Sequence, residues 1–316
     1  MAQSARPSKN PQGGKPSSSR KPPASRPAAG KSGGGKSARG DNARLNQLRA
    51  QQAAKERRRR LLIGIGAVVA VVVVVAGLVI ASVLAPKSGP KQSEALDGSV
   101  MSTIQGIPAT TFDGVAPGNK SSAPQPITGE ALTADGKPRV LYVGAEYCPY
   151  CAGERWPFVV AMSRFGTFTD LRAAWSAPAP EAAPNTPTLS FHGSSYTSDY
   201  LSFTGVETQD NAMQPLDTLS AEDQALFAKG NPKGSIPWID FGGKYAASGA
   251  SVDPAVYAGK SQSEIATAIA DPSSEIGKDV LGSANLLTAR LCSITGNKPE
   301  AVCSSPAIVA AAAALQ

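Results

Sequence analysis

Val140-Leu141-Tyr142-Val143-Gly144-Ala145-Glu146-Tyr147-Cys148-Pro149-Tyr150-Cys151 runs from an apolar block straight into a C-x-x-C. The apolar block predicts a strand over 139–145. A helix is expected to begin near Cys148 and to continue through Trp156 and Val160 towards Phe165. A strand that delivers two cysteines to the first turn of a helix is a layout for thiol–disulfide chemistry. The free N–H groups and the macrodipole of that turn favour negative charge, so a thiolate at Cys148 is stabilised there. Cys151, one turn on, is placed to attack a mixed disulfide formed at Cys148 and release the partner.

Two further features agree with this layout. Pro157 lies six residues past Cys151. Downstream, Ile236-Pro237-Trp238-Ile239-Asp240-Phe241 puts a proline at the start of a strand, followed by Gly242-Gly243. Proline cannot donate to a strand ladder, so its presence there needs a reason.

With these residues in place the chain resembles the thioredoxin superfamily. The dipeptide Pro149-Tyr150 is that of glutaredoxins, and the anchored setting described below is more like the DsbA branch. The stretches 144–151, Ser190-Phe191-His192-Gly193 and 237–243 are also similar to a membrane-anchored thioredoxin-like family of unknown function from actinobacteria and archaea. The resemblance covers roughly 100–300. It implies an α/β (α+β) thioredoxin-like fold, a central mixed sheet flanked by helices. It implies Cys148 as nucleophile, Cys151 as resolving cysteine and Pro237 as a cis proline beside them. Ile236, Pro149 and Tyr150 then form the partner-binding rim, with the Ile236 backbone pairing a bound peptide as an added strand. No cofactor is implied. Two departures stand out: Tyr147 replaces the common tryptophan before the first cysteine, and the stretch from Cys151 to Pro237 is long, with strands and loops in place of an evident helical insert. Glu146 and Glu154 are candidates for a proton-shuttling carboxylate, with an ordinary solvated glutamate as the alternative for each.

The chain has four cysteines and one histidine. Cys292 and Cys303 are expected to form a structural disulfide in an oxidising compartment. A second redox pair and a four-cysteine zinc site are the alternatives, although C-x10-C is not usual zinc spacing. No metal is expected. His192 alone makes a Ser/His triad improbable and is read as a partly buried strand residue. Phe191, Tyr196, Tyr200 and Phe203 are read as core and sheet face.

Residues 61–85 carry no charge and include five consecutive valines at 71–75. At about 1.5 Å per residue such a helix crosses a hydrocarbon core of about 30 Å. Arg57-Arg58-Arg59-Arg60 directly precedes it. Residues 1–60 hold 16 Lys/Arg against Asp41 and Glu56, a net +14; the whole chain is +7, so 61–316 sums to −7. Positive-inside logic places a disordered basic tail, 1–60, in the cytoplasm and the C-terminal part outside. Asp41 is a candidate cap for a helix leading into the span. A cleaved signal peptide is the competing reading, but its apolar core would be shorter. The tail has no aromatic residue, so base stacking has no platform; its partner is the lipid bilayer and not nucleic acid.

The expected organisation is therefore tail 1–60, transmembrane helix 61–85, linker 86–100 and thioredoxin-like domain 101–316. Within the domain, helices are expected at 171–175, 220–229, 261–269 and 275–295, strands at 189–192, 200–206, 236–241 and 244–247, short extended pieces over 103–135, and an exposed loop over 177–187. The expected activity is a single-pass, extracytoplasmic thiol–disulfide oxidoreductase. Its partners are secreted or envelope protein thiols, with a membrane quinone-linked thiol oxidase to reoxidise it. The rival is a non-catalytic envelope binding or assembly module with structural disulfides; a dedicated reductant for a single partner is a third reading.

Overall fold

The computed structural model describes residues 91–316, together with Lys55. The span at 61–85, the basic tail and the helix expected from Asp41 lie outside the described residues. Among the described residues no helix is long and apolar enough to cross a membrane.

The centre of the molecule is β4 (Lys137–Gly144). It pairs in parallel with β9 (Ser202–Glu207) and antiparallel with β10 (Trp238–Phe241). β10 continues into β11 (Tyr245–Ser248), which pairs with β2 (Gln125–Pro126), and β3 (Thr133–Ala134) pairs with the start of β4. The result is a mixed six-stranded sheet. Both faces of β4 are covered, which is why its sequence is a continuous apolar run. Val140 and Tyr142 face the main core with Trp156, Phe158 and Leu281. Leu141 and Val143 face a smaller cluster with Val206 and Trp238, packed by Leu226 and Phe227. Alternation along one strand thus feeds two cores.

Helices close both faces. On the main side lie α3 (Pro149–Met162) and α6 (Glu275–Ile294), numbered after α1 (Gly98–Gln105) and α2 (Ala109–Asp113). On the other side lies α4 (Ala221–Gly230), and α5 (Gln262–Ala270) precedes α6. The expected helix starts are found. Ser220 caps α4 through the Asp223 N–H at 3.0 Å, and Ser261 and Glu264 form a reciprocal capping box on α5. Asp223 completes no such box, because its carboxylate pairs with Arg139.

Several sequence expectations are corrected. Leu171–Trp175 is not a helical turn: Arg172–Trp175 is β6, lying between β1 (Glu94–Ala95) and β7 (Pro187–Ser190) in a separate antiparallel sheet. The stretch read as a linker therefore contributes a strand and the start of α1. The 103–135 region holds α2 and a 3-10 turn as well as short strands. His192 lies just past β7 and is half-exposed, with its Nδ1 at 2.6 Å from Asp217 Oδ1. The aromatic residues Phe191, Tyr196 and Phe203 do form core, packed with Phe168 (Thr167–Thr169 is β5, Ser195–Thr197 is β8).

Candidate active site

Pro149 occupies the first turn of α3, where its missing N–H costs nothing and its fixed φ suits the helix. Cys148 is the N-cap, with extended backbone. From there its Sγ accepts the Cys151 N–H at 3.2 Å, one of the orphan donors of a helix start. Both cysteines are free thiols. Cys148 is 5% exposed and Cys151 fully buried, while Tyr150 between them is 50% exposed. Of the two residues, Cys148 is therefore the more exposed.

The two thiols are held apart in acidity. The Cys148 thiol is lowered, chiefly by a hydrogen bond from the Cys151 side chain, with help from the Cys151 N–H and Arg155; burial opposes this. Burial pushes the Cys151 thiol well up, and the neighbouring Cys148 adds to it. The helix-start argument is therefore part of the cause at Cys148, and the partner thiol is the larger part.

Ile236–Pro237 is a cis peptide. The Cys148 thiol faces the Ile236 carbonyl oxygen at 3.7 Å. The Pro237 carbonyl accepts the N–H of Gly249 at 2.9 Å, which places the segment after β11 beside the site. Cys148, Cys151, Pro149, Tyr150, Ile236 and Pro237 are thus brought together at one sheet end. On another side Tyr147 accepts the Ala177 N–H at 2.8 Å, so the 177–187 loop flanks the helix start. Cys292 and Cys303 are disulfide-bonded at the end of α6, separate from this pair.

Beneath the cysteines sits an ion pair that the sequence reading missed. Arg155, on α3, donates from Nε to Glu207 Oε1 at 2.8 Å and from Nη2 to Glu207 Oε2 at 2.6 Å. Nη2 also donates to the Ala145 carbonyl at 2.7 Å. Both side chains are fully buried. Arg155 favours the charged form of both thiols, while Glu207 disfavours it at Cys151. Burial pushes the Glu207 carboxyl up, against the pull of Arg155. A signal for Arg155 was present: the one cation among residues 152–162, at the i+4 position from Cys151.

The two carboxylates singled out in the sequence divide. Glu146 is buried at the strand end, its N–H bonded to the Gln209 carbonyl, with Oε1 lacking a partner among the described residues. Glu154 turns away. Its Oε2 accepts both the N–H and the hydroxyl of Ser251, at 2.7 and 2.6 Å, and burial raises its carboxyl to about 7. It is not among the groups that chiefly shift either cysteine. Among the described residues, no group of three or more His, Cys, Asp or Glu is placed to hold a metal.

A family model described as a domain of unknown function (DUF929) matches residues 125–233. The match takes in Cys148, Cys151, Arg155 and Glu207, and ends before Ile236 and Pro237. No curated protein and no solved structure matches the chain.

Proposed function

We propose that this chain is a thioredoxin-like thiol–disulfide oxidoreductase, anchored in the membrane by residues 61–85 and acting outside it on the thiols of secreted or envelope proteins. The observation that carries the reading is the asymmetry of one pair. Cys148 caps a helix with a lowered thiol facing the Ile236 carbonyl, and Cys151 lies fully buried behind it with a raised thiol. The chain order supports it: β4, α3 and β9 make a parallel β–α–β unit, followed by the β10–β11 hairpin and the long helix α6, as in a thioredoxin-like core. The Cys292–Cys303 bond supports an oxidising compartment.

In the oxidising direction a partner thiolate attacks Cys148 Sγ of the disulfide form, and Cys151 leaves with the bond's electron pair and takes up a proton. A second partner thiolate then attacks the partner sulfur of the mixed disulfide and releases Cys148 as thiolate. The partner dithiol is oxidised by two electrons and the pair reduced. A quinone-linked thiol oxidase in the membrane returns the pair to the disulfide.

The test is capture. In cells, Cys151→Ser should accumulate disulfide-linked complexes with envelope proteins through Cys148, because the resolving thiol is gone. Complexes absent from Cys151→Ser cells, or equally present in Cys148→Ser cells, contradict the proposal. A phosphatase fused after residue 316 should be active only if that end lies outside the membrane.

A further inference from the structure

On the redox reading, the step that makes or breaks the Cys148–Cys151 bond puts negative charge on Cys151, as attacking nucleophile in one direction and as leaving group in the other. Cys151 is fully buried. A buried thiolate is costly unless donors meet it. Two buried donors on the elements around it, β4 and α3, are idle. Tyr142 Oη and Arg155 Nη1 are both buried, and neither has a hydrogen-bond partner among the described residues. Buried polar atoms are nearly always paired, so two adjacent exceptions call for an explanation.

Their placement is built in. Arg155 follows Cys151 by four residues on α3, the spacing that puts two side chains on one helix face. Its Nε and Nη2 are committed to Glu207 and the Ala145 carbonyl, which fixes the guanidinium and leaves Nη1 over. The Tyr142 ring centroid lies 6.0 Å from that guanidinium. Tyr142 points from β4 into the main core, and its hydroxyl rests against Gly144, where a Cβ would come within 2.6 Å of it. Glycine at 144 makes the room that the hydroxyl occupies. Charge at Cys151 is felt by both groups, pushing the Tyr142 phenol and the Arg155 guanidinium up. Burial holds the phenol well above its ordinary value, so it remains a donor.

We propose that Tyr142 Oη and Arg155 Nη1 form a donor pocket for the Cys151 sulfur, idle in the dithiol and engaged whenever that sulfur carries charge. The inference rests on the redox reading and adds to it the groups that make a buried thiolate accessible. The logic is that of preorganised donors aimed at developing charge. In the resolving step the Cys151 thiol gives its proton to water and its electron pair forms the bond to Cys148 Sγ. The bond from Cys148 to the partner sulfur breaks, and the partner leaves as a thiolate that takes a proton from water. The reverse step returns the electron pair to Cys151. No further oxidant or reductant enters. The charged or titratable groups facing Cys151 are Cys148 and Arg155 from α3, Tyr142 from β4 and Glu207 from β9; only Tyr142 can be altered without breaking an existing hydrogen bond.

The experiment uses the full-length chain and Tyr142→Phe, each with Cys148 and Cys151 reduced and the Cys292–Cys303 bridge intact, mixed with excess 5,5′-dithiobis(2-nitrobenzoic acid). Attack by Cys148 releases one thionitrobenzoate, and attack by Cys151 on the resulting mixed disulfide releases a second, so the two phases are read separately. In Tyr142→Phe the first phase should stay within about twofold, the second should slow about tenfold at pH 7, and its pH midpoint should rise by about one unit. The thermal midpoint should not fall, because the lost hydroxyl had no partner in the folded state. A second phase with unchanged rate and midpoint overturns the pocket. So does a slowing that is equal at every pH, which would mark Tyr142 as packing only. A wild-type chain that releases no second thionitrobenzoate overturns the redox reading itself, a different failure.

Discussion

Arg155 grips Glu207 through two parallel N–H···O bonds, 2.8 and 2.6 Å long, with both side chains sealed from solvent beneath the cysteine pair. The two residues are 52 positions apart. They join α3, the helix that carries the C-x-x-C, to the end of the parallel strand β9, and the same guanidinium ties down the Ala145 carbonyl just before the C-x-x-C. One ion pair therefore sets both the position of the helix start and the charge around the thiols.

Glu207→Gln should destabilise the fold by about 3–5 kcal/mol, because it leaves a buried guanidinium without its counter-charge. It should also make both thiols more acidic, since the unbalanced cation favours thiolate. Urea unfolding reads the first effect and thiolate absorbance at 240 nm against pH reads the second. Unchanged stability together with unchanged thiol titration would mean that the pair has no such role.

Glu154 gives a pH dependence with a definite sign. Burial raises its carboxyl from an ordinary 4.5 to about 7 in the folded chain. The unfolded chain therefore releases the proton first as pH rises. The protonated carboxyl's contribution is complete below pH 4.5 and is lost on the way up to about pH 7, in total roughly 3 kcal/mol. Glu154→Gln should lack that decline and be the more stable protein at pH 7.5, as measured by urea midpoints at both ends of the range. Identical pH dependence in the two proteins would contradict this.

The Cys292–Cys303 bridge should survive isolation from the native envelope, with neither thiol alkylated before reduction. Cys303→Ser should cost about 2–3 kcal/mol through the freed loop and leave exchange at Cys148 intact. Alkylation of both residues in unreduced native material would contradict the assignment.

Iodoacetamide should modify Cys148 first and leave Cys151 untouched until the chain unfolds, a difference that follows from burial and acidity together. Peptide mass spectrometry after timed quenching reads the order directly. Faster labelling of Cys151 would reverse the assigned roles.

Much of this site was legible because its signals are local. The apolar run at 140–143 announces a strand covered on both faces, Pro149 and the cysteines mark the helix start, and Pro237 flags an irregular strand entry. What stayed hidden depends on distant partners. Arg172–Trp175 is too short for periodicity to separate strand from helix, and its partners in β1 and β7 are remote in sequence. Glu154 reads as a plausible shuttle until Ser251, 97 residues on, is seen to claim its carboxylate. Glu207 lies just past the strand expected at 200–206, and nothing local marks it until the fold brings it under Arg155.

On the redox proposal, Cys148 and Cys151 exchange disulfides with protein partners. The most direct measurement is the full-length chain's catalysis of insulin reduction and of refolding of reduced ribonuclease, with Cys148→Ser in parallel. Exchange by the wild-type chain should vanish in Cys148→Ser. Absence of exchange in both proteins, or equal exchange in both, would contradict it.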